Sequence, residues 1–558
     1  YKGWQHSGSL CILTTPDGAD LPASAKESDF PVLVRLDKDW FRFNEAQPKG
    51  EDLRFASSTG LPLAYQIDHW DATAGTAAIW VRIPTITGNA RQEITLYWGK
   101  SDASSESDGA AVFNKSNGYL SAWHMDETLR DEAGTVTVQD AGTTAATGMI
   151  GPSRRFSGGR GMNGGGMIRT YPFATTSHTT EAWFKADKFN SSLIRWGRGN
   201  VVNLRLLSTP AHFAITNYWG SPIQQSTSLM EKNQWTHVAY TFSLQGWMIY
   251  INGRPDMPAV WNNTQEIATP VELQIGDGFA GELDEVRVSN VARSADWMKL
   301  QDENHKPVQT VVGPLIQSGK EFAVSEKNVS LTEGKTITLT AKAGGARKIS
   351  WSIVRGGTET IVAADRFNYT LVAGRVSGDE SYILRFKAVF AEGVKNLDIP
   401  VTIREEIPDP VYTLKAPTNW DGRETITLQP QITNLPALQA KGGGELTYEW
   451  TFPPLLEMKS IEPGKLILKR ARNSGTLPVT VAVSNGGKPV TQTVQIAVRE
   501  PAKDAWVQRT PAKDEKPADN QFYARDDTNE GTLYYNGILN DAAESVFLKL
   551  YAADKLIK

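Results

Sequence analysis

Apolar and polar residues alternate with a period of two through almost every patterned stretch of this chain. The runs from Phe30 to Leu36, Ala78 to Ile83, Glu93 to Trp98, Thr236 to Phe242, Trp247 to Ile251 and Thr336 to Thr340 all follow it. Successive strand side chains point to opposite faces, so this period demands half-buried strands, bounded here by Gly, Pro, Asn and Asp. A helical period is confined to short pieces such as Asn290 to Leu300, where Ser294 is placed to cap a turn or two. The predicted fold class is all-β. At roughly 150 residues per domain, the 558 residues make several tandem β-sandwich domains rather than one core.

Charge and cysteine content narrow the partners. The chain has 58 basic and 62 acidic residues without long blocks of one sign, which argues against nucleic acid and polybasic membrane binding. Its one cysteine, Cys11, excludes an intrachain disulfide and multi-cysteine metal sites. No apolar run approaches the roughly 18 residues that cross a bilayer, so no membrane insertion by this segment is expected.

Composition shifts set the expected boundaries: a β-sandwich over 1–115, a second block over 116–312, two related blocks over 313–405 and 406–500, and a linker with the start of a further β domain over 501–558. Pro314 and Gly319 read as linker residues. The third and fourth blocks echo each other, with Trp351 and Trp450 at the equivalent strand, 99 residues apart. That spacing fits two immunoglobulin-like sandwiches, each with a buried tryptophan. Gly531 to Tyr535 and Ser545 to Tyr551 read as strands too few to form a stable sheet alone, so they are expected to dock on a neighbour or on chain beyond Lys558.

In the second block, Trp123-His-Met-Asp-Glu127, Arg155-Phe-Ser-Gly158, Thr180-Glu-Ala-Trp-Phe184, Trp235-Thr-His-Val-Ala-Tyr240, Tyr250-Ile-Asn-Gly253 and Gly281-Glu-Leu-Asp-Glu-Val-Arg-Val288 occur in series. In that order they resemble the laminin-G/concanavalin-like jelly-roll domains of bacterial surface proteins. The first block, with Glu51-Asp-Leu-Arg-Phe55, Trp80-Val-Arg-Ile-Pro84 and Leu96-Tyr-Trp-Gly99, resembles an uncharacterised bacterial β-domain family that often precedes such a domain. The repeats at Trp351 and Trp450 resemble immunoglobulin or polycystic-kidney-disease-type spacers.

Jelly rolls include lectins and glycosidases, and hydrolysis needs two carboxyl groups flanking the bond. The jelly-roll glucanases that the domain resembles carry Glu-x-Asp-x-x-Glu on one strand; here Glu282-Leu-Asp284-Glu285-Val-Arg287 puts an arginine in place of the second glutamate, and no catalytic site is expected. The resemblance implies instead a structural calcium held by Asp284 with the Asp126-Glu127 turn, through the hard oxygen ligands that ion prefers. Asp37-Lys-Asp39 does not continue as an EF-hand, since Phe41 and Pro48 fall at ligand positions. Aromatic faces stack on sugar rings, and Tyr218, Trp219 and Trp261 sit among Gly, Pro, Ser and Asn, as loop aromatics do. They are the expected glycan-binding platform. Gly159, Gly161 and Gly164 match a dinucleotide fingerprint but open no helix, and the seven histidines form no zinc-protease or hydrolase motif.

These readings converge on an exported, extracellular or envelope-bound glycan-binding protein on sandwich spacers, with calcium as a structural ion and a polysaccharide or another cell-surface protein as partner. Two other readings stay open: the non-catalytic arm of a larger secreted carbohydrate-active enzyme, such as a glycan esterase, and a structural envelope or filament scaffold.

Overall fold

The computed structural model describes residues 1–134, 136–172, 176–198, 202–208, 210–216, 222–257, 268–422, 424–443, 446–471 and 474–499, with four short strands beyond 520. The chain falls into two compact units: Tyr1–Val329 with Ile337–Leu371 and Tyr382–Val401, and Ser330–Thr336 with Val372–Ser381 and the remainder from Thr402.

In the first unit, the N-terminal sandwich packs His6–Leu13, Arg91–Trp98, Arg54–Ser57 and Pro62–Leu63 as one sheet and Lys26–Asp37, Thr76–Thr87 and Tyr65–Asp71 as the other. Alternation fills the space between them with Leu10, Ile12, Phe30, Val32, Val34, Phe55, Ile79, Val81 and Leu96, all close to fully buried.

The jelly roll follows. One sheet runs Thr144–Thr147, Pro152–Ser157, Ala280–Ser289, His178–Ala186, Thr236–Ser243, Gly246–Ile251 and Arg254–Pro255, with Tyr119–Trp123 as its eighth strand, paired to Ala280–Ser289. The facing seven-stranded sheet runs Pro222–Leu229, His212–Thr216, Val202–Leu206, Ser191–Arg198, Ala268–Ile275, Met162–Asn163 and Gln139–Asp140. Between them lie Phe184, Ile194, Trp196, Leu204, Phe213, Tyr240, Ile275, Val286 and Val288. The glycine run of the dinucleotide-like motif leads into the strand Met162–Asn163 and opens no helix.

One helix, Ala295–His305, follows the last jelly-roll strand, capped by Ser294 Oγ accepting from the Trp297 amide at 2.8 Å. Its Trp297, Met298 and Leu300 join the N-terminal core, together with Ala239 from the jelly roll. Its last turn seals an edge. The strand Lys26–Asp37 ends its sheet, and Asn304 accepts from the Leu33 amide at 2.8 Å while donating to the Pro31 carbonyl at 3.1 Å. Exposed strand edges recruit other strands, and this one is closed by a side-chain amide. Beyond the helix the chain runs back along the first strand, with Ile12 bridged to Val312 and the Ile316 amide bonded to the Ser9 carbonyl. The stretch before Gly319 is thus a strand-like tie.

The first unit also holds the ladder of Lys348–Arg355 with Thr358–Ala364 and Glu380–Val389, where Trp351 is fully buried and donates to the Arg366 carbonyl at 2.8 Å. The second unit contains a sandwich of Asn419–Trp420, Val490–Val498, Gly475–Ser484 and Thr447–Thr451 against Ile426–Leu428, Lys465–Ala471 and Leu456–Glu462. Here the buried indole belongs to Trp420, and Trp450 is only partly buried against the core. Trp351 and Trp450 both stand on strands, Trp351 on an interior strand and fully buried, Trp450 on an edge strand and partly buried. Gly531 to Tyr535 contributes the strand Leu533–Asn536, paired with Gln521–Ala524, while residues 545–550 of the second expected strand lie outside the described residues.

Candidate functional site

The outward face of the eight-stranded sheet is not a surface. His178–Ala186 and Ala280–Ser289 are buried along nearly their whole lengths on both sides. Opposite Glu181 to Trp183 the ladder shifts register, and Glu285 takes a left-handed φ of 48°. An extra residue inserted this way re-aims the strand, so the consecutive acids Asp284 and Glu285 both leave the apolar core and Val286 returns to it.

Around that bulge a polar knot forms under the N-terminal sandwich. His124, which follows the strand Tyr119–Trp123, meets Glu285 Oε1 through Nδ1 at 2.8 Å and lies 3.9 Å from Asp68 Oδ2 of the N-terminal sandwich. Its Nε2 is 3.3 Å from Gln66 Oε1. Asp68 accepts from the Trp80 indole at 3.2 Å, and Arg287 pairs with the other Glu285 oxygen. The imidazole stacks on Trp80 at 5.6 Å, and the Arg287 guanidinium sits 4.7 Å from the same ring. Beside the knot, Glu181 meets His237 at 3.1 Å, and the Trp183 indole donates to His305 Nδ1 at 2.8 Å. Arg35 donates to the carbonyls of Asn304 and His305.

The charges balance: Asp68 and Glu285 against His124 and Arg287. Burial opposes charging His124, but the two carboxylates outweigh it and push its pKa up to about 10. Burial would likewise raise Glu285, yet His124 and Arg287 bring it below its ordinary value. Asp68, where desolvation wins over His124, is raised to about 6. His305, buried and facing Arg287, His237, Arg35 and His124, is pushed well down and stays neutral, consistent with Nδ1 accepting the Trp183 proton.

The sequence-predicted residues fall in separate places. Asp284 is fully buried: Oδ2 accepts from the amides of Met149 and Ile150 at 2.7 and 3.1 Å, and Oδ1 from the Glu285 amide at 2.9 Å. A Cβ on Gly148 would stand 2.4 Å from Oδ2, so glycine is needed where that turn closes on the carboxylate. Asp126 Oδ1 accepts from the Thr128 amide and hydroxyl and the Leu129 amide, an Asx turn, and Glu127 is exposed. Among the described residues the one group of three metal-binding side chains is Asp68, His124 and Glu285; Asp126, Glu127 and Asp284 do not form another. Glu282 is held by Arg155 at 2.9 Å and Lys185 at 3.0 Å. Tyr218, Trp219 and Trp261 lie outside the described residues.

The seven-stranded sheet offers the jelly roll's other outward face. Ile194, Trp196, Leu204, Ile215 and Ile275 point inward, so their neighbours point out. Register places Gln274, Arg195 and Asn203 in one row across three strands, with Arg205, Ala214 and Gln225 in a second. Arg195 pairs with Gln274 and lies 3.6 Å from Asp277, and Arg205 donates to Asn190 at 2.8 Å. Among the described residues no group donates to the buried Oδ1 of Asn203. The strand ends at Trp196–Arg198, Val202, Thr216, Pro222 and Ala268 all lie at one end of this sheet.

Sequence reasoning missed the knot. Its signals were present as His124 in the Trp123-His motif and the Glu285-Val-Arg287 triplet, but nothing local pairs them with Asp68.

Comparison with known proteins places family matches on these two sandwiches. Residues 49–123 match the Domain of unknown function (DUF2341), and residues 160–299 match the Concanavalin A-like lectin/glucanases superfamily. No curated protein matches the chain. Among solved structures, domain 4 of AbnA, a GH43 extracellular arabinanase from Geobacillus stearothermophilus solved with arabinotriose, is similar at 17% identity and a TM-score of 0.28, over 33% of this chain and 97% of that one. The binding domain of botulinum neurotoxin DC in complex with SialylT is similar at 12% identity and a TM-score of 0.28, over 68% of this chain and 93% of that one. This is a chain of tandem β-sandwiches in which a DUF2341 domain of unknown function is followed by a concanavalin A-like lectin/glucanase domain.

Proposed function

We infer that this is a glycan-binding protein of the cell envelope or extracellular space, whose jelly roll holds polysaccharide on the seven-stranded sheet. One observation carries the reading. The eight-stranded sheet is roofed by the N-terminal sandwich and the helix Ala295–His305, and the partly exposed Arg195 and Arg205 lie on the lectin-like domain's other outer sheet face. Hydroxyl-rich ligands are held by such arrays of amide and guanidinium groups, completed by stacking aromatics. Tyr218, Trp219 and Trp261 are proposed as the stacking platform.

The proposed activity is binding without hydrolysis. Glu282 is neutralised by Arg155 and Lys185, and Arg287 stands where a second acid would be needed. A shallow site of this kind binds weakly and gains from multivalent display. Affinity electrophoresis through polysaccharide gels tests the reading: Arg195→Ala and Trp219→Ala should each reduce retardation, and unchanged retardation in both contradicts it.

Calcium at Asp284, with Asp126 and Glu127, is proposed as a structural ion only. Its test is a rise in melting temperature when calcium is added to chelator-treated protein, abolished by Asp126→Ala. No rise leaves Asp284 as the anchor of the turn at Met149.

A further inference from the structure

We propose that Asp68, His124 and Glu285 form a divalent transition-metal site, zinc being the ion their donors suit, clamping the DUF2341 sandwich to the jelly roll. The donor set is one imidazole nitrogen and two carboxylate oxygens, a mixture that accommodates zinc. The three atoms lie within 4.8 Å of one another and come from three separate parts of the chain in two domains.

Their spacing lies within a short adjustment of what an ion needs. Donors bound to zinc at roughly 2.0–2.1 Å in a tetrahedron stand about 3.3 Å apart. His124 Nδ1 is 2.8 Å from Glu285 Oε1 and 3.9 Å from Asp68 Oδ2, so movements of about half an ångström bring both to the required separation.

Each donor side chain is also oriented by a neighbour. A metal-binding histidine ordinarily donates its second N–H to an oxygen, which fixes the tautomer. His124 Nε2 faces Gln66 Oε1 at 3.3 Å, so a proton on Nε2 leaves Nδ1 free to ligate. Glu285 is steadied by Arg287 through its other oxygen, while the Trp80 indole orients Asp68 by donating to Oδ2, the oxygen that faces His124. The side chains of Asp68 and His124 are 4% exposed and that of Glu285 is fully buried, so the ion would enter as the two domains close. Metal binding here releases the proton that otherwise bridges His124 and Glu285.

The experiment uses the full chain, purified without chelator or histidine tag. Elemental analysis should find about one zinc per chain, and replacement by Co2+ should produce visible absorption bands. Asp68→Asn keeps the shape and the Trp80 hydrogen bond while weakening a ligand, and Gln66→Met removes the oxygen behind the imidazole. Each should lower zinc affinity by roughly tenfold or more. With chelator present, the melting temperature of Gln66→Met should approach that of chelated wild type. No bound metal, no cobalt absorption, or variants whose losses of melting temperature are the same with and without chelator would show an ion-pair network only and overturn the site. None of these readouts depends on polysaccharide, so failure here leaves the glycan reading untouched.

Discussion

At the residue scale, Asp284 shows how one side chain anchors a buried turn. It answers three backbone N–H groups, and a carboxylate so held is a structural part of its turn. Asp284→Ala should destabilise the protein by about 2–4 kcal/mol, read from denaturant unfolding with calcium absent, because buried amides lose their acceptor. A loss below about 0.5 kcal/mol would contradict that role. His178 makes a pH prediction. It is buried against Trp196, Phe242 and Trp247, its Nδ1 donating to the Thr176 carbonyl at 2.8 Å, and burial pushes its pKa down to about 4. The unfolded chain, near the ordinary value of about 6.5, takes up the proton first. The stability this neutral imidazole contributes is therefore present above about pH 6.5 and is lost as pH falls toward 4. Unfolding free energies at pH 7.5 and pH 5 should differ more for wild type than for His178→Phe; equal differences would show that the histidine does not carry the effect.

At the scale of elements, the strands were legible and their irregularities were not. Alternation identified the strands containing Phe30 to Leu36, Ala78 to Ile83 and Thr236 to Phe242 because one face of each meets a core. It also set Glu282 and Asp284 on one face, as found. The bulge at Glu285 has no such signature, since an inserted residue leaves the apolar pattern intact on either side. Without it, Glu285 would point into the core and could not reach His124, 161 positions earlier in the chain. Trp450 fails for a related reason: periodicity places an indole on a strand face, and the depth of the opposing sheet decides its burial. The helix Ala295–His305 was expected from Ser294, but its task as an edge cover depends on Asn304 reaching another domain. Asn304→Ala leaves the Leu33 amide unpaired and should cost about 1–3 kcal/mol, whereas Asn304→Asp, which can still accept from Leu33, should recover part of it in the same thermal unfolding assay. Equal stability of both variants with wild type would contradict the edge-sealing role.

At the scale of the whole molecule, the jelly roll's two sheets have been given different work. One is committed to the DUF2341 sandwich through the knot of Asp68, His124, Glu285 and Arg287, so its charged residues serve docking. The other carries Gln274, Arg195 and Arg205, each partly exposed, on its outer face. Sequence motifs made the jelly roll itself recognisable, because its family signatures lie along the strands. They could not say which sheet was covered, since most of the cover comes from the N-terminal sandwich, more than a hundred positions from the strands Thr236–Ser243 and Ala280–Ser289. The most direct measurement is affinity electrophoresis of the intact chain through a panel of cell-wall and marine polysaccharides, comparing wild type with Arg195→Ala/Arg205→Ala. The account predicts that at least one polysaccharide retards wild type. The double variant should bind it roughly tenfold more weakly or worse while its stability changes by under about 0.5 kcal/mol for each surface replacement. Wild type that no polysaccharide retards, or a double variant retarded as strongly as wild type, would contradict binding on the seven-stranded sheet.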